Sequence, residues 1–558
     1  MSSPRPRDGR RWERAGVDRV PAFVERWSRG AFYATSVVLI AGVAGLTALW
    51  RPGAFFFIPV GLFVAQGIAD IVQTRRTILR NFPVLGHLRY FLESIRPELR
   101  QYFVESDSEQ TPFSRQQRSI VYQRAKNVID TVPFGTLFDV YDDGYEWLAQ
   151  SLAPTHPSPE VARVMVGEGR CTQPYSCSIF NISAMSYGSL SAAAIRALNI
   201  GAREGGFFHN TGEGGISAHH LEPGGDLCWQ IGTGYFGCRT PDGKFDPEMF
   251  AERARHPHVK MIEVKLSQGA KPGHGGILPG KKVTPEIAAI RGVEVGQTVL
   301  SPGAHSAFEG PRGLLAFVAR LRELSGGKPV GFKLCVGHPT ELLGIVKAMV
   351  ETGQVPDFIT VDGSEGGTGA APPEFSNSVG MPLVDGLNLV HNALRGVHLR
   401  GEVVLLSAGK ITTGFHIVRQ LALGADACNS ARGMMFALGC IQALKCNTNK
   451  CPVGVATQDP KLMRGLVVED KASRVSSFHR KTIQSVLELI GAAGLSHPQE
   501  LRSHHVFRRV SPTEIRHLGQ VYPWVPEGCL LDGTAPAPLG EWWDLASADS
   551  FSACARLH

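Results

Sequence analysis

From Ala31 to Trp50 the chain reads AFYATSVVLIAGVAGLTALW with no charged position, and after Arg-Pro-Gly the run AFFFIPVGLFVAQGIADIVQ (54–73) repeats the pattern with Asp70 as its only acid. A helix rises about 1.5 Å per residue, so about 20 apolar residues cross a hydrocarbon core of about 30 Å. Residues 31–73 therefore predict two transmembrane helices joined as a hairpin. Residues 1–30 form a basic segment with eight arginines against four acids; Arg75, Arg76 and Arg80 follow the second run, and only Arg51 lies in the turn. This charge bias puts both ends in the cytoplasm, predicting a multi-pass protein of the cell's inner membrane with its catalytic body on the cytoplasmic side. A cleavable signal peptide fits less well, because a small-residue cleavage site is lacking and a second run follows at once. A hairpin buried in a protein core is the other alternative.

Between residues 74 and 165, polar and apolar positions alternate at helical period, as in LRYFLESIRPELRQYF (88–103), and predict a helical connecting segment without a chemical motif. From about residue 166 the chain turns glycine-rich and the period shortens. FNISAMS (180–186), MIEVKLS (261–267), VLSPG (299–303), VGFKLCVG (330–337), FITVDGS (358–364), VVLLSAG (403–409) and ACNSARG (427–433) read as strands. Helical patterns such as PRGLLAFVARLREL and TTGFHIVRQLALG lie between them. Strands alternating with helices, with polar and glycine residues at the strands' C-terminal ends, predict an α/β fold: a (β/α)8 TIM barrel over 166–465. Residues 466–558 are expected to add a helical segment and a tail. The GxGxxG match GTGYFG (232–237) is followed by CRTPDG, a turn rather than a helix, and reads as a loop.

Composition narrows the function. The chain has 558 residues and 43% hydrophobic content, ample for a large core. Its net charge of +7 is concentrated at the N-terminus, with no basic run interleaved with aromatics, so nucleic acid is not an expected partner. Eleven cysteines at irregular spacing do not make a disulfide framework and favour a reducing compartment.

Three of those cysteines stand together in CIQALKCNTNKCPVGVATQ (440–458): Cys440, Cys446 and Cys451, with Gly439 before and Pro452 after. Soft thiolates suit iron–sulfur chemistry, and three ligands imply a three-iron cluster or a four-iron one with an open position. Zinc is the competitor, but its cysteines usually pair as CxxC, and the nearest histidines, His416 and His479, are distant in sequence. Three ordinary buried cysteines are the third reading.

The run GCIQALKCNTNKCPVGVATQ resembles the cluster loop of the glutamate synthases. The resemblance continues through ISAMSYGSLS (182–191), HNTGEGG (209–215), WQIGTGYFG (229–237), KLSQGAKPGHGGILPGKKV (265–283), DGSEGGTGAAP (362–372) and LGADACNSARG (423–433), covering about residues 165–465. It implies an FMN-binding barrel with a 3Fe-4S cluster on Cys440, Cys446 and Cys451, reducing an imine formed from a 2-oxo acid and ammonia, as in 2-oxoglutarate to glutamate. No amidotransferase domain with an N-terminal cysteine is seen, nor a C-terminal β-helix or pyridine-nucleotide module. The resemblance therefore implies a stand-alone synthase domain supplied with ammonia or glutamine-derived nitrogen, with a separate glutaminase as a partner, and with ferredoxin or an NADPH-linked reductase as electron donor.

By the same resemblance, Ala184, Met185 and Ser186 lie at the strand end under the flavin ring, and Thr211 and Gln230 belong to the cofactor set. Lys265 and Lys333 each stand at a strand end flanked by apolar residues, which turns the ammonium into the barrel mouth; taken alone, either reads equally as a solvated lysine. Gly366, Gly367 and Thr368, with Gly409, offer backbone donors for the phosphate, and Arg432 offers a charge. Glu213, Lys271 and Arg291 match the positions around the 2-oxo acid, where fixed cations hold carboxylates and an acid moves protons; Arg291 also reads as a helix C-terminal charge. The departures fall on the substrate: Ile277 replaces the family's glutamine, His274 replaces a glutamate, and SPGAHSAFEG (301–310) replaces SPPPHHDIYS. A lost amide donor changes which substrate is accepted, so a related amino acid such as an N-alkylated glutamate is the alternative substrate. Another membrane-coupled FMN oxidoreductase and an inactive tethered scaffold are the alternative functions.

Overall fold

Eight parallel strands close on themselves in the computed structural model, which describes residues 29–104 and 112–552. In chain order they are β1 (Phe180–Ile182), β2 (His209–Asn210), β3 (Leu227–Ile231), β4 (Val259–Lys265), β5 (Val330–Leu334), β6 (Phe358–Asp362), β7 (Val404–Ala408) and β8 (Ala427–Ser430). Each strand bonds to the next and β8 returns to β1, with Asn429 opposite Asn181. Helices including Ala192–Gly205, Gly310–Leu324, Pro339–Thr352 and Leu383–Arg395 cover the outside. Their apolar stripes bury Leu314, Leu343 and Leu387 against the strands, as expected of strands enclosed on both faces. The last outer position is taken by the long helix Val468–Ala492, which packs along Ala192–Gly205.

The barrel uses two strands that its sequence hides, and rejects one that it suggests. VLSPG contributes only Val299–Leu300, which pairs antiparallel with Ile277–Leu278 in a ribbon outside the barrel. Leu300 is exposed there, and Pro302 cannot donate to a ladder. In its place stand β2, two polar residues with no apolar run, and β3, whose LCWQI is buried throughout. The connecting segment is helical over Thr77–Asn81, Gly86–Leu99 and Arg115–Ala125; beyond these, Glu146–Leu148 pairs antiparallel with Val506–Ser511 in a three-stranded sheet. That sheet draws its other two strands from the C-terminal segment, which is therefore not wholly helical.

The chain divides into two compact units, residues 1–106 and 107–558. In the first, the helix Arg29–Leu49 and the continuous helical stretch Arg51–Val72 have hydropathies of 1.9 and 2.0, and only 11% of each apolar window is buried. Both are long and apolar enough to cross a membrane. Asp70, the acid of the second run, accepts from His87 Nε2 at 2.8 Å, Gln66 Nε2 at 3.0 Å and the Val84 amide at 2.9 Å.

At the N-terminal ends of the strands, two carboxylates tie neighbouring segments together, Asp357 buried and Asp426 half-buried. Asp357 Oδ2 accepts from the Val330 amide at 2.8 Å and Arg322 Nε at 2.9 Å, while its Oδ1 lies 3.3 Å from Arg170 Nη1. Asp426 receives Arg400 and the Leu405 amide in the same way. Removing one partner of such a buried set leaves uncompensated charge. Asp357→Ala should cost about 3–5 kcal/mol, read as a lower denaturant midpoint, whereas Glu402→Ala, on the exposed side of Arg170, should cost less than about 1 kcal/mol.

Candidate active site

The C-terminal ends of the strands open into one cavity of about 750 Å³. All the side chains and loops expected at the site line it except Thr211 and Arg291. Ala184, Met185 and Ser186 follow β1; Gly366, Gly367 and Thr368 follow β6; Gly409 follows β7 and Arg432 follows β8. Thr211 sits beneath the cavity, where its hydroxyl donates to the Gly212 carbonyl and accepts the Gln230 amide. Arg291 lies behind Ser186: its Nη2 donates to the Tyr187 carbonyl at 3.0 Å, and its guanidinium stacks over Phe236 at 5.1 Å. Burial pushes Arg291 down to about 10, with Glu213 opposing.

The period-2 alternation of β4, β5 and β6 sends Glu263 and Lys265, Lys333, and Thr360 and Asp362 inward. Lys265 Nζ meets Glu213 Oε1 at 3.0 Å and Gln268 Oε1 at 2.6 Å. Burial pushes the Glu213 carboxyl up, but the charges of Lys265, Arg291 and Lys271 together outweigh it and hold Glu213 below the usual carboxylate range. Lys333 Nζ lies 3.0 Å from Asp362 Oδ2. Burial works against that ammonium, yet Asp362 and Glu263 keep its pKa above the usual lysine value. Glu263 accepts from Asn210, Gln230 and Thr360, at 2.9, 2.6 and 2.6 Å. Lys271 is bonded differently: its Nζ donates to the Ala370 carbonyl at 3.0 Å, and burial, with repulsion from Lys265, pushes it down to about 8.

The three cysteines of the 440–451 loop line the same cavity, and all are free thiols. Burial and then its neighbours Cys446 and Cys451 push Cys440 up to about 12. The loop turns through three non-glycine residues at positive φ, Gln442 at 59°, Leu444 at 53° and Asn449 at 62°, a concentration of unfavourable backbone found mainly where function requires it. Lys282 pins its exit, donating to the carbonyls of Ser189 at 2.9 Å and Ala456 at 3.0 Å. Among the described residues, no three His, Cys, Asp or Glu side chains are gathered to hold a single metal ion.

Sequence reasoning passed over Gln268, Asp362, Glu263, Lys282 and Phe113. Glu263 and Asp362 were accessible: each sits two residues from an inward position on its strand. Phe113 carries no local signal, since it reaches the cavity from beyond the barrel sequence.

Gly276 shows how closely the Glu213 carboxylate is fitted. A Cβ there would lie 2.2 Å from Glu213 Oε1. Gly276→Ala should displace the carboxylate from Lys265, and a crystal structure of the variant should show that pair separated by more than about 4 Å, beyond ion-pair reach.

A family model described as the conserved region in glutamate synthase matches residues 160–496. The glutamate synthase large subunit-like protein YerD of Bacillus subtilis is 39% identical over 514 residues, covering 85% of this chain and 96% of its own. An archaeal-type glutamate synthase [NADPH] of Thermotoga neapolitana is 35% identical over 58% of this chain and 60% of its own. The ferredoxin-dependent glutamate synthase of Cyanidium caldarium is 34% identical, with 22% of its length covered. A mandelate oxidase variant with (S)-mandelic acid aligns at a TM-score of 0.41 and 12% identity over 72% of this chain and 98% of its own, too distant to argue from. The matched region takes in every barrel strand, all of the cavity lining except Pro112 and Phe113, and the cysteine loop, so the chain belongs to the glutamate synthase family and is an enzyme of the glutamate synthase type.

Proposed function

We propose that the chain binds FMN and a 3Fe-4S cluster and reductively aminates a 2-oxo acid, with 2-oxoglutarate to glutamate as the reference reaction. The observation that carries this reading is the shared cavity: Glu213 paired with Lys265, Lys271 beside them, and three thiols on the same walls. Its volume of about 750 Å³ is in the range that cofactor sites occupy. Ala184–Ser186, Gln230, Lys265 and Lys333 would hold the flavin ring, and Gly366–Thr368, Gly409 and Arg432 its phosphate. The fit is supported at Gly367, where a Cβ would lie 2.7 Å from Arg432 Nε and fill the cradle. Three free thiols on one strained loop suit a cluster in which each thiolate binds its own iron.

When bound, FMN supplies hydride chemistry and the cluster single-electron transfer. The chain's own residues do the rest. Lys271 offers its ammonium group to a substrate carboxylate. Glu213, kept ionised by its neighbours, stabilises the positive charge on the iminium nitrogen. Lys271, which burial pushes down to about 8, is the better proton donor. Ile277, lining the cavity where the family pattern carries glutamine, offers apolar contact rather than a hydrogen bond and favours the second reading, an N-alkylated glutamate. Nitrogen comes as ammonia, or from glutamine through a separate glutaminase. Electrons come from a ferredoxin or an NADPH-linked reductase, the donors that the names of the relatives carry. The two apolar helices anchor the enzyme in the inner membrane with the barrel in the cytoplasm.

Protein purified anaerobically from membranes in mild detergent should carry about one FMN and about three irons per chain, and Cys446→Ser should lose the iron while retaining a folded barrel. Zinc in place of iron overturns the cluster, and absence of flavin overturns the oxidoreductase. KM for the 2-oxo acid should rise as pH passes upward through about 8, because Lys271 loses its charge there. Lys271→Met should raise KM and flatten that profile. A profile unchanged in the variant excludes Lys271 from carboxylate binding.

A further inference from the structure

Phe113 and Tyr122 precede the family region, which begins at residue 160, yet both reach the active site. Pro112 and Phe113 line the cavity. The Phe113 ring, 1% exposed, lies 4.7 Å from the Arg432 guanidinium carbon and meets the edge of Phe436 at 5.2 Å. On the following helix, Tyr122 donates its hydroxyl proton to the Cys440 carbonyl at 2.6 Å and lies edge-on to the same Phe436 at 6.1 Å. One short segment thus touches the cation expected at the phosphate and the first cysteine of the loop.

The segment is fixed independently of those contacts. Ser114 and Gln117 cap the helix Arg115–Ala125 reciprocally, Val121 and Ala125 sit in the main core, and Ser477 donates to the Arg124 carbonyl at 2.8 Å. Arg432 makes no ion pair among the described residues; it is tied by Nη2 to the Glu365 carbonyl at 2.6 Å and by its face to Phe113. A guanidinium held by its face and one donor keeps further donors for an anion. The Cys440 carbonyl stands where the chain enters the strained loop, so a hydrogen bond there sets where the first thiol points.

We propose that residues 112–125 are a strap that positions both parts of the redox centre, Phe113 orienting Arg432 for the flavin phosphate and Tyr122 orienting Cys440 for the cluster. The proposal rests on the functional reading above. Phe113 and Tyr122 are positioning residues, acting through Arg432 and Cys440.

The test uses the full chain in detergent with Phe113→Leu, Phe113→Tyr and Tyr122→Phe, each checked for an unchanged circular dichroism spectrum. Phe113→Leu keeps apolar bulk without a ring and should bind FMN about tenfold more weakly, while Phe113→Tyr, which keeps the ring, should restore affinity. Tyr122→Phe should keep its flavin, show a shifted cluster midpoint potential, and, after removal of cofactors, react faster at Cys440 with N-ethylmaleimide, read by peptide mass spectrometry. Unchanged FMN affinity in Phe113→Leu overturns the first half. Unchanged potential together with unchanged Cys440 alkylation overturns the second. If wild-type protein holds neither flavin nor iron, the functional reading fails, and Cys440 alkylation still decides the tether: faster labelling in Tyr122→Phe supports it and equal labelling overturns it.

Discussion

Charge pairing in the barrel mouth is the constraint on which the site depends. A buried unpaired ion costs several kcal/mol, and the barrel mouth places Glu213, Asp362, Lys265 and Lys333 on the cavity walls with Glu263 buried behind them. Each is matched: Glu213 by Lys265, Asp362 by Lys333, and Glu263 by two amides and a hydroxyl. The matching holds the side chains in place and so fixes the cavity's shape. What it leaves over is positive. Among the described residues, Lys271 donates only to the Ala370 carbonyl and Arg432 only to that of Glu365. A cavity whose surplus is cationic suits anionic occupants, and the proposed reaction brings two, a dicarboxylate and a phosphate.

The two ends of the barrel divide the work. At the N-terminal ends, Asp357 and Asp426 tie strand starts to arginines on surrounding segments. At the C-terminal ends the same kind of ion pair lines an open cavity. Stability and chemistry therefore use similar interactions at opposite faces, as is general for this architecture. The cysteine loop adds a strained backbone at the chemical end, and its stitching by Lys282 and Tyr122 offsets that strain through contacts from distant parts of the chain.

Most of the residues expected at the candidate site line the cavity. In strand ends such as EVKL and GFKL the flanking apolar residues favour inward lysines, and Lys265 and Lys333 do line the cavity. Glu263 follows from the same rule applied two residues before Lys265. Thr211 and Arg291 came with the resemblance, and the fold places both outside the cavity, Arg291 acting on it through Ser186 and the field at Glu213. The strand over VLSPG failed because a short run bounded by proline carries no information about its partner, and β2 was missed because two polar residues carry no apolar period.

The amino-acid order by itself determined the βα repeat, the two apolar helices and the cysteine loop, because each is set by interactions between residues near in sequence: period, length and turn chemistry. Tertiary structure alone decided which acid meets which cation, that Phe113 and Tyr122 join a site far along the chain, and that a two-residue segment completes the barrel. Those outcomes depend on burial and on long-range pairing, whose energies exist only once the strands have closed.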